Sequence, residues 1–159
     1  MSDQFNKAYI EWCRFRVMKQ YWPRIQVCVD QLSDDEFWWR EHESNNSVAN
    51  LLIHLTGNLN QFILSAIGGA SDTRDREKEF SERRHSPKAE IMRNLSEALE
   101  KSDRVLSNFD PGRLLEPGKV QGRERPYFEI ISAAVEHFAL HVGQIIFITK
   151  LKTGKELKF

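Results

Sequence analysis

The chemistry this sequence could do is concentrated in three histidines. His137 and His141 stand four residues apart in Glu136-His137-Phe138-Ala139-Leu140-His141. On a helix that spacing stacks two imidazoles on one face, near enough to share a metal ion. Ile130, Ala134, Ile145 and Ile148 lie in the same row, so the spacing predicts that both rings point into a core. Two neutral imidazoles in a core need partners for their ring nitrogens, and a metal ion satisfies one nitrogen on each ring at once. His54, set among Leu51, Leu52 and Leu55, is the natural third ligand, since helical cores build metal sites from facing helices. Three neutral imidazoles suit Zn2+, Ni2+ or Fe2+ and not the all-oxygen cages of magnesium or calcium. Three protein ligands also leave positions open for water or substrate, as catalytic sites do. An ion there would acidify a bound water or thiol. The alternative is a plain hydrogen-bonded cluster, because a single histidine on an apolar face is ordinarily a core residue with a polar partner.

Polar neighbours extend the constellation. Asn50 and Asn58 lie one turn either side of His54, and Gln144 follows His141 by three residues. They could orient imidazoles or touch a substrate, with Asn58 and Gln144 as the candidates for a catalytic role, or they could make helix-to-helix hydrogen bonds. Glu136 adjoins His137 but points about 100° away around a helix, so it is not expected to be a general base. His42 and His85 fall in loops and are expected to face solvent.

Four helical stretches must position these residues. Apolar residues recur at helical spacing from about Phe5 to Leu32, with Pro23 expected to kink or split the helix. Ser33-Asp34-Asp35-Glu36 reads as a capping box, after which Phe37, Trp38 and Trp39 require burial. Ser47 is a good N-cap for a second helix running to about Ile67 and ended by Gly68-Gly69. Residues 71–86 hold five basic and five acidic side chains apart from His85 and read as a solvated stretch with local ion pairs. Ser86-Pro87 reads as N-cap and first helical residue of a third helix reaching about Phe109. An irregular segment with a small hairpin at Gln121-Gly122 leads to a last helix from about Pro126 to Leu151. The simplest assembly is an all-α four-helix bundle forming one domain over residues 1–159.

The bulk properties narrow the function. Lys+Arg and Asp+Glu each number 23, so the formal net charge is zero, which disfavours a general nucleic-acid binder. Cys13 and Cys28 are the only cysteines; they form no CxxC pattern and read as reduced thiols of a cytoplasmic protein. The uninterrupted apolar runs are short for a membrane span, so no membrane partner is expected.

Taken together, Ser47-Val48-Ala49-Asn50-Leu51-Leu52-Ile53-His54-Leu55-Thr56-Gly57-Asn58, Asp72-Thr73-Arg74-Asp75-Arg76 and His137-Phe138-Ala139-Leu140-His141-Val142-Gly143-Gln144-Ile145 resemble the DinB/YfiT-like superfamily, most nearly its small bacterial branch of uncharacterised domains. The resemblance implies an up-down-down-up four-helix bundle, frequent homodimers, and a divalent metal held by His54, His137 and His141. Some members of that superfamily are thiol-dependent S-transferases, others are isomerases using a low-molecular-weight thiol, and many have no assigned activity. Fold alone does not choose a reaction. The reading is therefore a metal-dependent enzyme acting on a small molecule, with a low-molecular-weight thiol as cosubstrate. Arg74 and Arg76 are the candidate cofactor-binding residues, with Arg83 and Arg84 nearby, because arginine pairs bidentately with carboxylates. A metal-dependent hydrolase and a non-catalytic dimeric metal-binding or stress-related protein are the alternatives.

Overall fold

A computed structural model of the chain describes residues 2–84 and 86–159, so His85 lies outside the described residues. The first helical stretch comprises α1 (Ser2–Phe15), a wide π-helical segment (Arg16–Tyr21) and α2 (Trp22–Asp30). Proline lacks an N–H, and its ring crowds the carbonyl four residues earlier. The stretch accommodates Pro23 by widening just upstream of it. The Trp22 N–H bonds to the Val17 carbonyl, five residues back, and the chain stays helical through the proline.

Ser33 caps α3 (Asp34–Phe37) in the expected box: its hydroxyl accepts from the Glu36 N–H, and the Glu36 carboxylate accepts from the Ser33 N–H. Phe37 and Trp38 are buried behind it. Helix α4 (Val48–Leu59) starts at Ser47 and continues into a second π-helical segment, Asn60–Ser65. Here Asn50 does not orient an imidazole. Its side-chain oxygen accepts from the Ser47 hydroxyl at 2.7 Å and from Arg40 at 3.0 Å. Its amide N–H groups bond to the Glu79 and Glu82 carbonyls at 3.0 and 3.2 Å.

That second pair of bonds anchors α5 (Arg76–Ser81), a helix of six residues capped by the Asp75 side chain. Residues 71–86 are therefore not simply a solvated stretch. Their polar ends bond to the body of the protein, and Glu79 turns inward to 6% exposure. Helix α6 (Lys88–Ser107) begins one residue later than expected: Pro87, extended at ψ 144, is itself the cap. Strands β1 (Pro117–Val120) and β2 (Arg123–Pro126) pair antiparallel. Their turn places Gln121 at φ +52 and Gly122 at φ +74, the two left-handed residues of a type I′ hairpin. Helix α7 (Tyr127–Thr153) then runs to Gly154, left-handed at φ +65.

The fold is mostly helical, with this one small sheet among the described residues. Helix α7 packs on α1, α2 and α4, and α4 packs on α5 and α6. Arg14 ties α1 to α6 through paired bonds to Asp103 at 2.7 and 2.9 Å. By length and composition α7 could cross a membrane, a possibility the short apolar runs did not suggest. In this fold its Ile130, Ile131, Phe138 and Ile145 belong to the protein's own core.

Asn50 serves both α4 and α5, whereas Ser47 serves α4 alone. The substitution Ser47→Ala is expected to cost about 1 kcal/mol, the usual worth of an N-cap. Asn50→Ala is expected to cost about 1–3 kcal/mol beyond that, because the buried Glu79 carbonyl loses its donor. Urea unfolding of the two variants side by side measures the difference.

Candidate metal centre

His54 projects from α4, and His137 and His141 from α7. One ring nitrogen of each lies within 4.8 Å of the other two. The rings meet edge-on, with centroids 4.7, 5.0 and 4.4 Å apart for the pairs 54–137, 54–141 and 137–141. His54 Nε2 and His137 Nε2 face each other at 2.9 Å.

The outer nitrogens are committed elsewhere. His54 Nδ1 lies 2.7 Å from Glu79 Oε2, and His141 Nδ1 lies 2.6 Å from Gln144 Oε1. His54 Nδ1 also lies 3.1 Å from Arg74 Nη2, a donor that already serves Glu79 Oε2. The shorter contact to the Glu79 carboxylate, and the amide oxygen beside His141, favour a proton on each Nδ1. Each Nε2 is then left with a lone pair for the cluster. Burial, followed by the positive charges of His141, His54, Arg74 and Arg76, pushes His137 down to about 4. Burial also lowers His141. Both rings are then neutral at neutral pH, the form in which imidazole binds a metal. A donor set of this kind fits a divalent ion such as Zn2+, Ni2+ or Fe2+.

Glu79 is held in turn by Arg74, whose Nε donates to Oε1 at 2.8 Å and whose Nη2 donates to Oε2 at 3.0 Å. The Arg74 and Glu79 side chains are only 4% and 7% exposed. Burial raises the Glu79 carboxyl, but the bonds from His54 and Arg74 outweigh it and hold the group below its ordinary range. Arg74 Nη1 also donates to Gln61 Oε1 at 3.0 Å, and that oxygen accepts from Gln121 Nε2 at 2.9 Å at the tip of the hairpin. The carboxylate sits against Gly57, where a Cβ would lie 1.8 Å from Glu79 Oε1.

A cavity of about 240 Å³ opens beside the rings, with His54, His137, Asn58, Arg76, Phe62 and Gln121 in its wall. No carboxylate lines it among the described residues. The Arg76 guanidinium lies 4.9 Å over the Phe80 ring, and that ring lies 4.6 Å from His54.

The family model described as "Protein of unknown function (DUF1572)" matches residues 4–159. The chain belongs to that family. The sequence matches no curated protein. Among solved structures, this DUF1572 chain is similar to a DinB-like protein, YjoA, from Bacillus subtilis, with a TM-score of 0.66 and 15% identity over 87% of this chain and 91% of that one. It is also similar to a DinB-like protein from Bacillus cereus, with a TM-score of 0.68 and 15% identity over 92% of this chain and 94% of that one. The DUF1572 fold is thus DinB-like, in line with the resemblance seen in the sequence.

In this DUF1572 chain the three predicted histidines come together, Gln144 bonds to His141, and Asn58 lines the cavity. Arg74 and Arg76 both line the cavity, and Arg74 is also bonded to Glu79 and Gln61. Arg83 bonds to the Phe80 and Glu82 carbonyls, and Arg84 pairs with Asp35; neither lines the cavity. Glu136 and His42 are exposed. Sequence reasoning missed Glu79, Gly57, Gln61 and Gln121. The available signal was Phe80, a lone apolar residue in a charged segment, which marks a turn of helix with one buried face.

The depressed His137 and His141 give stability a definite pH dependence. As pH falls below about 6.5, the unfolded chain takes up protons that these rings refuse in the fold. Without metal, the melting temperature is expected to fall as pH drops from about 6.5 towards 4, through the lowered His137 value. The slope is expected to be shallower in His137→Asn. Melting curves across that range in the presence of a chelator provide the measurement.

Proposed function

We propose that this protein is a metal-dependent enzyme that uses a divalent ion, Zn2+, Ni2+ or Fe2+, on His54, His137 and His141 to activate a low-molecular-weight thiol for transfer to an electrophilic small molecule. The observation that carries the reading is the convergence of three imidazoles, two of them with Nδ1 fixed by an acceptor. An ion so held supplies a Lewis acid that lowers the pKa of a thiol or water beside it. In the transfer the thiol sulfur bonds to the electrophilic carbon, the leaving group departs with its electron pair, and the thiol proton is released.

The chain's own residues then divide the work. Gln144 and Glu79 orient the rings of His141 and His54. Arg76 is the cavity's unneutralised cation, since Arg74 is balanced by Glu79, so it holds a carboxylate of the thiol. Asn58 and Gln121 offer neutral polar contacts. Cys13 and Cys28 are free thiols, which suits a cytoplasmic location.

The up-down-down-up order of the helices belongs to the same reading. Tyr9 bonds to Ser132, and Tyr21 stacks on Phe138, so the first and last stretches ascend together. Leu140, Phe147 and Leu151 share one exposed face of α7, which supports a homodimer. Light scattering is expected to give twice the chain mass for wild type and the single chain mass for Phe147→Asp. A monomeric wild type would remove the dimer from the proposal.

Elemental analysis of protein purified without a polyhistidine tag tests the metal directly. About one divalent ion per chain is expected, with loss of the ion in His141→Ala. Protein that stays empty after reconstitution would reduce the cluster to hydrogen-bonded histidines. With metal present, turnover of 1-chloro-2,4-dinitrobenzene with glutathione, bacillithiol or mycothiol is expected, and Arg76→Gln should raise KM for the thiol about tenfold. Turnover of esters or amides with no thiol would instead favour the hydrolase.

A further inference from the structure

We propose that Glu79 is a positioning residue of the three-histidine centre: its carboxylate holds His54 in the Nδ1–H tautomer, so that the Nε2 lone pair is turned towards His137 and His141. The effect on metal affinity rests on the metal-dependent reading given above, whereas the effect on the tautomer does not.

Several independent features place this carboxylate at this one atom. The contact is short, 2.7 Å, and both side chains are nearly sealed, at 5% and 7% exposure. Water is therefore poorly placed to substitute as the acceptor. Arg74 grips both carboxylate oxygens with parallel bonds, a geometry that fixes the plane of the group as well as its position. Gly57 leaves α4 bare where Glu79 Oε1 lies; any side chain there would enter the carboxylate, the first added carbon falling 1.8 Å from Oε1. Helix α5, which carries Glu79, has only six residues, too few to hold itself in place. The side chains of Asn50 and Asp75 anchor its backbone instead.

Asn50 already ties α5 to α4 through the Glu79 and Glu82 carbonyls, and the Arg74–Glu79 pair lies within one segment, so neither of these needs the bond to His54. Two side chains meet His54 Nδ1 all the same, the Glu79 carboxylate at 2.7 Å and Arg74 Nη2 at 3.1 Å, and the gap at Gly57 on α4 admits the other carboxylate oxygen. A carboxylate behind a metal-binding histidine fixes the ring and makes it a stronger donor.

The test uses the full chain in wild-type form and as Glu79→Ala, Glu79→Gln and Gly57→Ala. Nitrogen-15 NMR of the histidine ring nitrogens in metal-free protein reads the tautomer, and titration of Zn2+ against a chromophoric chelator reads affinity. His54 is expected to be protonated on Nδ1 in wild type and to shift towards the Nε2–H form in Glu79→Ala. Zn2+ affinity is expected to fall about 10–100-fold in Glu79→Ala. Glu79→Gln, whose amide oxygen can still accept, should retain more of both properties. Gly57→Ala keeps the carboxylate but displaces it, and should follow Glu79→Ala. Should Glu79→Ala fail to fold, Gly57→Ala and Glu79→Gln carry the test.

An unchanged His54 tautomer in Glu79→Ala, with Zn2+ affinity within about twofold of wild type, would overturn the proposal and leave the pair as a tie between helices. If wild type takes no Zn2+ at all, the metal reading fails and the NMR comparison alone decides: a shifted tautomer upholds Glu79 as the group that sets the ring, and an unshifted one overturns it.

Discussion

Two imidazole nitrogens face each other across 2.9 Å inside this protein, and two bare lone pairs cannot be left so. Either a proton or a cation has to lie between them. The surrounding sequence bears on which it is, because the Nδ1 proton of His54 is directed at a carboxylate and that of His141 at an amide oxygen. Each of these bonds clears one inward nitrogen of its proton. His137, the third ring, is held neutral by burial and by the cations around it. A proton on His137 Nε2 satisfies the contact in the metal-free protein, and the same inner nitrogens could hold a metal ion.

The electrostatic balance of the site follows from the same bonds. A buried carboxylate is costly unless it is paired and fully hydrogen-bonded. Glu79 meets that condition with Arg74 on both oxygens and His54 on one. The pair is neutral as a unit, so it orients a ring without adding net charge to the interior. Arg76, two residues further on, stands over Phe80 and lines the cavity, and no ion pair to it is formed among the described residues. Two arginines of one short segment thus line the same cavity, one paired with Glu79 and the other stacked on Phe80.

The histidine triad was legible because a shared helical face imposes residue type and spacing together. The four-residue step of His137 and His141 is a helical constraint that can be read without coordinates. The capping box at Ser33, the N-cap at Ser47 and the hairpin at Gln121-Gly122 were legible for the same reason, since each depends on a few adjacent residues. Glu79 was not, because its role depends on tertiary contacts: an anchor from Asn50, a grip from Arg74 and an absent side chain at Gly57. In the sequence it is one of five acids balanced by five bases, and averaging hides it. Asn50 was left between two roles by the same limit, since a position one turn from His54 does not reveal a partner on α5, and the helix-to-helix bond is the one it makes. Pro23 pointed to a disturbance in the first helix but not to its form, because a kink, a break and a widened turn leave the apolar periodicity nearly alike.

That widened turn has a consequence for comparing relatives. A π-helical turn holds one more residue than an α-helical turn while the helix on either side continues. It is the form a single-residue insertion takes when the flanking packing is kept. Arg16–Tyr21 and Asn60–Ser65 are therefore the places where homologous chains can differ in length by one without moving Ile10, Ile25 or His54 off the interior. An alignment that forbids gaps within helices would slip by one residue there, and past Asn60 it would pair buried positions with exposed ones even though the folds superpose.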